Sequence, residues 1–151
     1  MAVDHTFLLS EGNWKAKGYL FDENEKSFVA QGETKIEHKN DTWIMFGTIK
    51  ALGENGYEIN NVYSIMPFTE KRKVTTWTSD NPRLGKLKGS FMINDEYIIS
   101  LFESEDKRFS GTEYLIFISD DHYKNRGVVF EGNKKLSSWT LELQKEQAGE
   151  T

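Results

Sequence analysis

Lys26-Ser-Phe-Val-Ala-Gln-Gly-Glu-Thr-Lys-Ile-Glu-His-Lys39 alternates without a break. Phe28, Ala30, Gly32, Thr34, Ile36 and His38 fall on one parity; Ser27, Val29, Gln31, Glu33, Lys35, Glu37 and Lys39 fall on the other. A period of two with the charge on one side describes a strand with a dry face and a wet face. Working outwards, the same texture predicts strands at Trp14–Phe21, Ser27–Lys39, Thr42–Leu52, Tyr57–Met66, Lys73–Ser79, Lys86–Ile93, Glu96–Ser104, Thr112–Ser119, His122–Phe130 and Leu136–Leu143. Between them lie Asn-, Asp- and Gly-rich turns, residue types that tolerate positive φ or bond their own backbone. No segment carries the pattern of a long helix. A meander of this length with no helix to cover it hides its edges best by closing on itself. The expected fold is all-β: an antiparallel up-and-down barrel of about 8–10 strands with at most short helical turns.

The totals fit one domain spanning all 151 residues, with residues 1–10 as an N-terminal plug built on Phe7, Leu8 and Leu9, and 145–151 as a flexible tail. The absence of cysteine excludes disulfides, thiolate metal sites and a cysteine nucleophile, and fits a reducing compartment. The first residues lack a basic region followed by an apolar core, and no apolar run reaches membrane-spanning length. A cytoplasmic protein is expected. A formal net charge of −5 gives no support to nucleic-acid binding. Lys71-Arg72-Lys73 reads as a charged strand end that discourages edge pairing.

Gly12-Asn13-Trp14 opens the first strand behind the apolar plug. This Gly-x-Trp resembles the first signature of the calycins: lipocalins, fatty-acid-binding proteins, avidins and the nitrobindin-like barrels. The resemblance implies that Trp14 closes one end of a barrel. It covers the chain as architecture, and only Gly12 and Trp14 as residues. Departures narrow the choice. Asp22–Lys26 is too short for the two helices of fatty-acid-binding proteins, and the last strand lacks their Arg-x-Tyr. Lipocalins add a late Arg stacked on the first Trp, where this chain has only Lys134 and Lys135 nearby. The haem-binding His near the C-terminus of nitrobindin-like proteins has no counterpart after His122. The chain is most similar to compact, helix-poor intracellular barrels.

Turn lengths assign the inner face. A two-residue turn at Asn40-Asp41 sets His38 opposite Trp43, and the inner face then runs through Met45, Gly47 and Ile49. An even loop around Glu54-Asn55 extends it to Asn60, Val62, Ser64 and Met66, and a turn at Thr69-Glu70 to Thr75 and Trp77. A turn at Asn94-Asp95 groups Phe91, Ile93, Ile98, Ser100 and Phe102. One at Asp120-Asp121 groups Tyr114, Ile116 and Ile118 with Tyr123, Asn125 and Val129, sending Glu113, Lys124 and Arg126 outside. Residues as small as Gly32, Thr34, Gly47, Ser64, Thr75 and Ser100 cannot fill a wide barrel.

The expected occupant is a small hydrophobic molecule. Trp43 and Trp77 would pack it, with His38, Asn60, Ser64, Ser100, Tyr114, Tyr123 and Asn125 as polar partners. His38 reads either as a ligand contact or general base, or as a rim histidine bonded to backbone. His5 and His122 read as solvated. Glu113 with Arg126 reads as a buried acid and counter-ion, or as a surface pair. No metal-ligand spacing, nucleophile elbow or phosphate loop is present, and no cofactor is implied. The alternative is a barrel enzyme, a cyclase, isomerase or decarboxylase, acting on a hydrophobic substrate. A third reading is an interaction module with a filled core. The expected assembly is a monomer or homodimer, with no nucleic acid and no membrane span.

Overall fold

The computed structural model describes residues 3–69 and 71–147. Ten strands make up the described chain: β1 (Gly12–Phe21), β2 (Ser27–His38), β3 (Trp43–Ala51), β4 (Tyr57–Ile65), β5 (Val74–Asn81), β6 (Gly85–Asn94), β7 (Tyr97–Ser104), β8 (Phe109–Ser119), β9 (His122–Glu131) and β10 (Lys134–Lys145). Each bonds antiparallel to its sequence neighbours, and β1 also pairs with β10, so the sheet closes into a barrel. Closure leaves no edge strand to template aggregation. The strands form where the alternation predicts them: in β1, Trp14, Ala16 and Leu20 are buried while Lys15 and Lys17 are exposed. Local chemistry ends them. Asp22 Oδ1 accepts from the Asn24 N–H (2.8 Å) and the Lys26 N–H (2.9 Å), an Asx turn that reverses β1 into β2.

The N-terminal segment plugs one end. Phe7 is 3% exposed and Leu8 fully buried, with Phe7 set edge-on to Trp14 at 5.3 Å and Trp14 edge-on to Tyr123 at 5.5 Å. Trp14 therefore closes an end of the barrel, as the Gly-x-Trp resemblance implies. The cation over its ring is Lys145, at 5.9 Å, rather than Lys134 or Lys135. Gly12 leaves room for that lysine: a Cβ there would lie 2.8 Å from Lys145 Cε. Within the tail expected at 145–151, the Lys145 N–H bonds Asp121 O and the Glu146 N–H bonds Asn13 O, both at 2.8 Å. Residues 148–151 lie outside the described residues, as does Glu70 of the turn expected at Thr69-Glu70.

Two face assignments need correction. The β3–β4 connection, Leu52–Gly56, has an odd number of residues, since Ala51 pairs with Tyr57. Asn55 (φ 61°) and Gly53 (φ 101°) take the left-handed conformations this loop needs. The odd count inverts β4: Tyr57, Ile59, Asn61, Tyr63 and Ile65 face in, and Asn60, Val62, Ser64 and Met66 face out. A second parity error in the β4–β5 loop cancels the first, so Thr75 and Trp77 still face in. In the β8–β9 hairpin the register shifts between Phe117 and Ser119. That bulge inverts β8: Glu113, Leu115 and Phe117 point inward, and Tyr114, 40% exposed, points out.

His5 is also corrected, from solvated to buried. A carbonyl can only accept, so its Nε2–H donates to Asp95 O (2.6 Å) and its Nδ1 accepts from the Tyr123 hydroxyl (2.7 Å). Burial pulls the imidazole pKa below its ordinary value, opposed by the Asp95 carbonyl bond and the Asp95 charge. The unfolded chain therefore takes up this proton first as pH falls. The stabilisation is complete above about pH 6.5 and declines below it. Denaturant titrations at neutral and mildly acidic pH should show wild type losing its advantage over His5→Gln on acidification; a pH-independent difference would contradict the assignment.

Candidate functional site

The barrel encloses a cavity of about 420 Å³, within the usual range for small-molecule pockets. Phe7 of the plug forms its floor, and the far end opens between Tyr57, Arg83, Leu84, Phe109 and Leu136. Met45, Ile49, Ile59, Phe91, Leu115, Leu141 and Leu143 make most of the wall apolar.

The space exists because the largest interior rings lie flat against the sheet. Trp77 pairs across strands with Gly89, Trp139 with Gly127 and Phe102 with Gly111. A Cβ on Gly89 would lie 2.5 Å from the Trp77 ring, one on Gly127 2.0 Å from the Trp139 ring, and one on Gly111 2.3 Å from the Phe102 ring. Each ring therefore occupies the place of a missing side chain, an arrangement known to rescue glycines in sheets. Polar bonds fix the orientation: the Trp77 N–H donates to Ser100 Oγ (3.2 Å) and the Trp139 N–H to Asn125 Oδ1 (3.1 Å). Gly47, by contrast, faces open space, with nothing within 4 Å of where its Cβ would lie.

Among the described residues, Glu113 and Arg83 are the only charged side chains on the cavity wall. Burial pushes the Glu113 carboxyl up to about 7, while hydrogen bonds from Asn125 and Trp139 pull the other way. That compensation is partial, because the Trp139 N–H is shared with Asn125 and an Asn125 N–H goes to Tyr114 O (3.1 Å). Tyr63, also on the wall, has its hydroxyl pKa raised by burial and then by the Glu113 charge. A carboxyl poised near neutrality in an apolar enclosure can hold a polar group of a ligand or transfer a proton.

The residues expected to form a site are dispersed. Trp77, Ser100 and Asn125 line the cavity. Tyr123 is fully buried, but its hydroxyl is spent on the plug, accepting the Thr6 N–H (3.2 Å) and bonding His5. His38 and Trp43 stack on each other at 3.9 Å on the plugged rim, and His38 Nε2 donates to Leu8 O (2.8 Å). They do not touch the cavity. Asn60, Ser64 and Tyr114 face outward, corrected by the odd loop and the bulge; Asn60 Oδ1 accepts from the Thr48 hydroxyl at 2.8 Å. His122 pairs with Glu142 on the outer wall. Arg126 stays outside, bonded to Asn125 O and Leu141 O, whereas Glu113 moves in. Sequence reasoning missed Tyr63, Asn61 and Arg83, and its register sent Glu113 outside. No group of three His, Asp or Glu suited to a metal occurs among the described residues.

A solved structure of the S-type phycobiliprotein lyase CPES from Guillardia theta superposes with a TM-score of 0.66 at 10% identity, covering 98% of this chain and 94% of that one. A redesigned β-barrel superposes at 0.49 with 15% identity, covering 97% of this chain and 100% of its own. No family model and no curated protein sequence matches. The first likeness is one of fold: both chains are β-barrels of the same overall shape.

Two outcomes follow for the site. The folded Glu113 pKa exceeds its ordinary 4.5, so its favourable contribution is complete below about pH 4.5 and is lost as pH rises through 7. At 1.4 kcal/mol per unit, ionisation inside the barrel costs roughly 3 kcal/mol. Glu113→Gln should thus be more stable than wild type at mildly alkaline pH and lose that gain in acid; denaturant midpoints across pH check this. Gly127→Ala, which drives a methyl into the Trp139 ring, should cost about 1–3 kcal/mol in the same assay.

Proposed function

We propose that this chain is a cytoplasmic calycin-type barrel that holds a small, largely apolar molecule in its interior. The observation that carries the reading is the open-ended cavity of about 420 Å³ with one titratable carboxyl in a mostly apolar wall. A void lined by hydrocarbon forfeits dispersion contacts and is poorly wetted. A ligand restores those contacts, and Trp77 and Trp139 offer it two large flat faces. Asn125, Ser100 and Glu113 present the polar atoms that orient it. The fold likeness to a phycobiliprotein lyase supports a small-molecule site and does not select the molecule.

Glu113 favours a second reading: an enzyme of the isomerase, cyclase or decarboxylase type on a hydrophobic substrate. Protonated below about pH 7, its carboxyl can give a proton to a bound carbonyl or alkene, and ionised it can take one back. Tyr63 and Asn125 stand on the same wall to steady developing charge. The readings separate when the molecule that co-purifies is incubated with fresh protein. A change in the molecule's chromatographic retention, or in its mass for a decarboxylation, that is lost in Glu113→Gln with binding retained selects the enzyme; an unchanged molecule selects the carrier.

Gly47 supplies the decisive variant, because it lines the cavity and a Cβ there meets nothing within 4 Å. Native mass spectrometry of freshly purified protein, with tryptophan-fluorescence titration of apolar probes, should show uptake by wild type. Gly47→Leu should keep the fold and weaken uptake at least about tenfold by occupying the space. A wild-type protein that takes up nothing, or a Gly47→Leu variant that binds as well, would refute the proposal.

A further inference from the structure

The geometry points to a carboxylate-specific subsite at Arg83 on the open rim, which makes the ligand an amphiphilic monocarboxylic acid entering polar tail first. The inference rests on the binding reading above and adds the class of molecule bound.

Four aromatic rings at the open end carry cations: Arg83 over Tyr57 (4.1 Å), Lys26 over Phe28 (5.1 Å), Arg108 over Phe109 (5.0 Å) and Lys135 over Phe21 (5.9 Å). Arg108 is neutralised by Glu131, and Lys135 by Glu25. Lys26 does not line the cavity. Arg83 does, and no carboxylate pairs with it among the described residues.

Its position is built rather than incidental. Asn81 Oδ1 accepts the Arg83 N–H (2.8 Å) and the Leu84 N–H (3.0 Å), so the turn through Pro82 is capped by its own first residue. The same Asn81 donates through Nδ2 to Asn61 Oδ1 (3.1 Å), tying the turn to a wall residue of β4. The guanidinium then rests on the Tyr57 face, which holds the plane but leaves the N–H edge of the fork unspent. A planar fork matches a carboxylate. One positive charge balances a carboxylate's single negative charge, whereas a phosphate monoester carries about −1.5 to −2 at neutral pH.

The second polar point is Glu113, four residues along β8 from Phe109 at the mouth. Four strand residues span about 13 Å, or about 10 Å along the axis of a barrel whose strands tilt at 35–45°. Most of the wall around the two points is Leu, Ile, Met and aromatic carbon, with Asn61 and Ser137 among it. The complementary molecule has a carboxylate at one end, an apolar body of about 10 Å, and a hydroxyl or carbonyl at the other. A protonated Glu113 both donates to and accepts from such a group.

The test compares ω-hydroxydecanoate with decanediol, which has the same chain and hydroxyl but no carboxylate, by tryptophan quenching and calorimetry at neutral pH. Wild type should prefer the acid by about tenfold or more, Arg83→Gln should shrink that preference to about twofold, and Arg83→Lys should restore part of it. Equal binding of acid and diol by wild type, or an undiminished preference in Arg83→Gln, overturns the subsite while leaving the binding reading in place. Failure of wild type to bind either compound, in a protein that also shows no uptake of apolar probes, removes both.

Discussion

The interior of this protein depends on indole rings lying flat over glycines. A ten-stranded barrel filled with tryptophans pointing at its axis would be solid. Here Gly89 and Gly127 let Trp77 and Trp139 turn onto the wall, and Ser100 and Asn125 hold them there through the indole N–H groups. The rings still bury their surface, so the core keeps its hydrophobic stabilisation. What is lost is packing along the axis. The same two polar partners stand beside the cavity, so the contacts that keep it open also present its polar atoms.

The two ends of the barrel divide the work. The plugged end is sealed by an aromatic cluster of Phe7, Trp14, Phe117 and Tyr123, with His5 and His38 clamping the plug backbone to the rim. Both histidines are structural fasteners here. The open end carries four cations over aromatic rings, two of them balanced by neighbouring acids. Between the ends, one carboxyl sits where burial disfavours its charge. Glu113 and His5 thus push stability in opposite directions with pH, each because its charged form is poorly solvated.

The fold was legible in the sequence because alternation is local: every strand of the meander announced itself within its own residues, and closure followed from the lack of any cover for the edges. The site was legible only in part, because side-chain direction is inherited from one loop to the next. Lys26–Lys39 fixed the faces of β2 and β3 correctly through the two-residue turn at Asn40-Asp41. The odd loop before Tyr57 then inverted β4. A signal was available there, since Tyr57, Ile59, Tyr63 and Ile65 are bulkier and more apolar than Glu58, Asn60, Val62 and Ser64. On β8 no such signal exists: Tyr114, Ile116 and Ile118 are as apolar as Leu115 and Phe117. Only the bulge after Phe117 decides that Glu113 faces in. Arg83 escaped notice because its role comes from a turn's tertiary position rather than from strand parity.

Diffraction from crystals held under xenon pressure tests the hollow interior most directly, because xenon enters dry apolar cavities without needing a chosen ligand. Xenon should appear inside the barrel beside Met45, Trp139 and Leu141, with both indoles still flat over Gly89 and Gly127. A barrel with no xenon site and its rings turned into the axis would contradict the account.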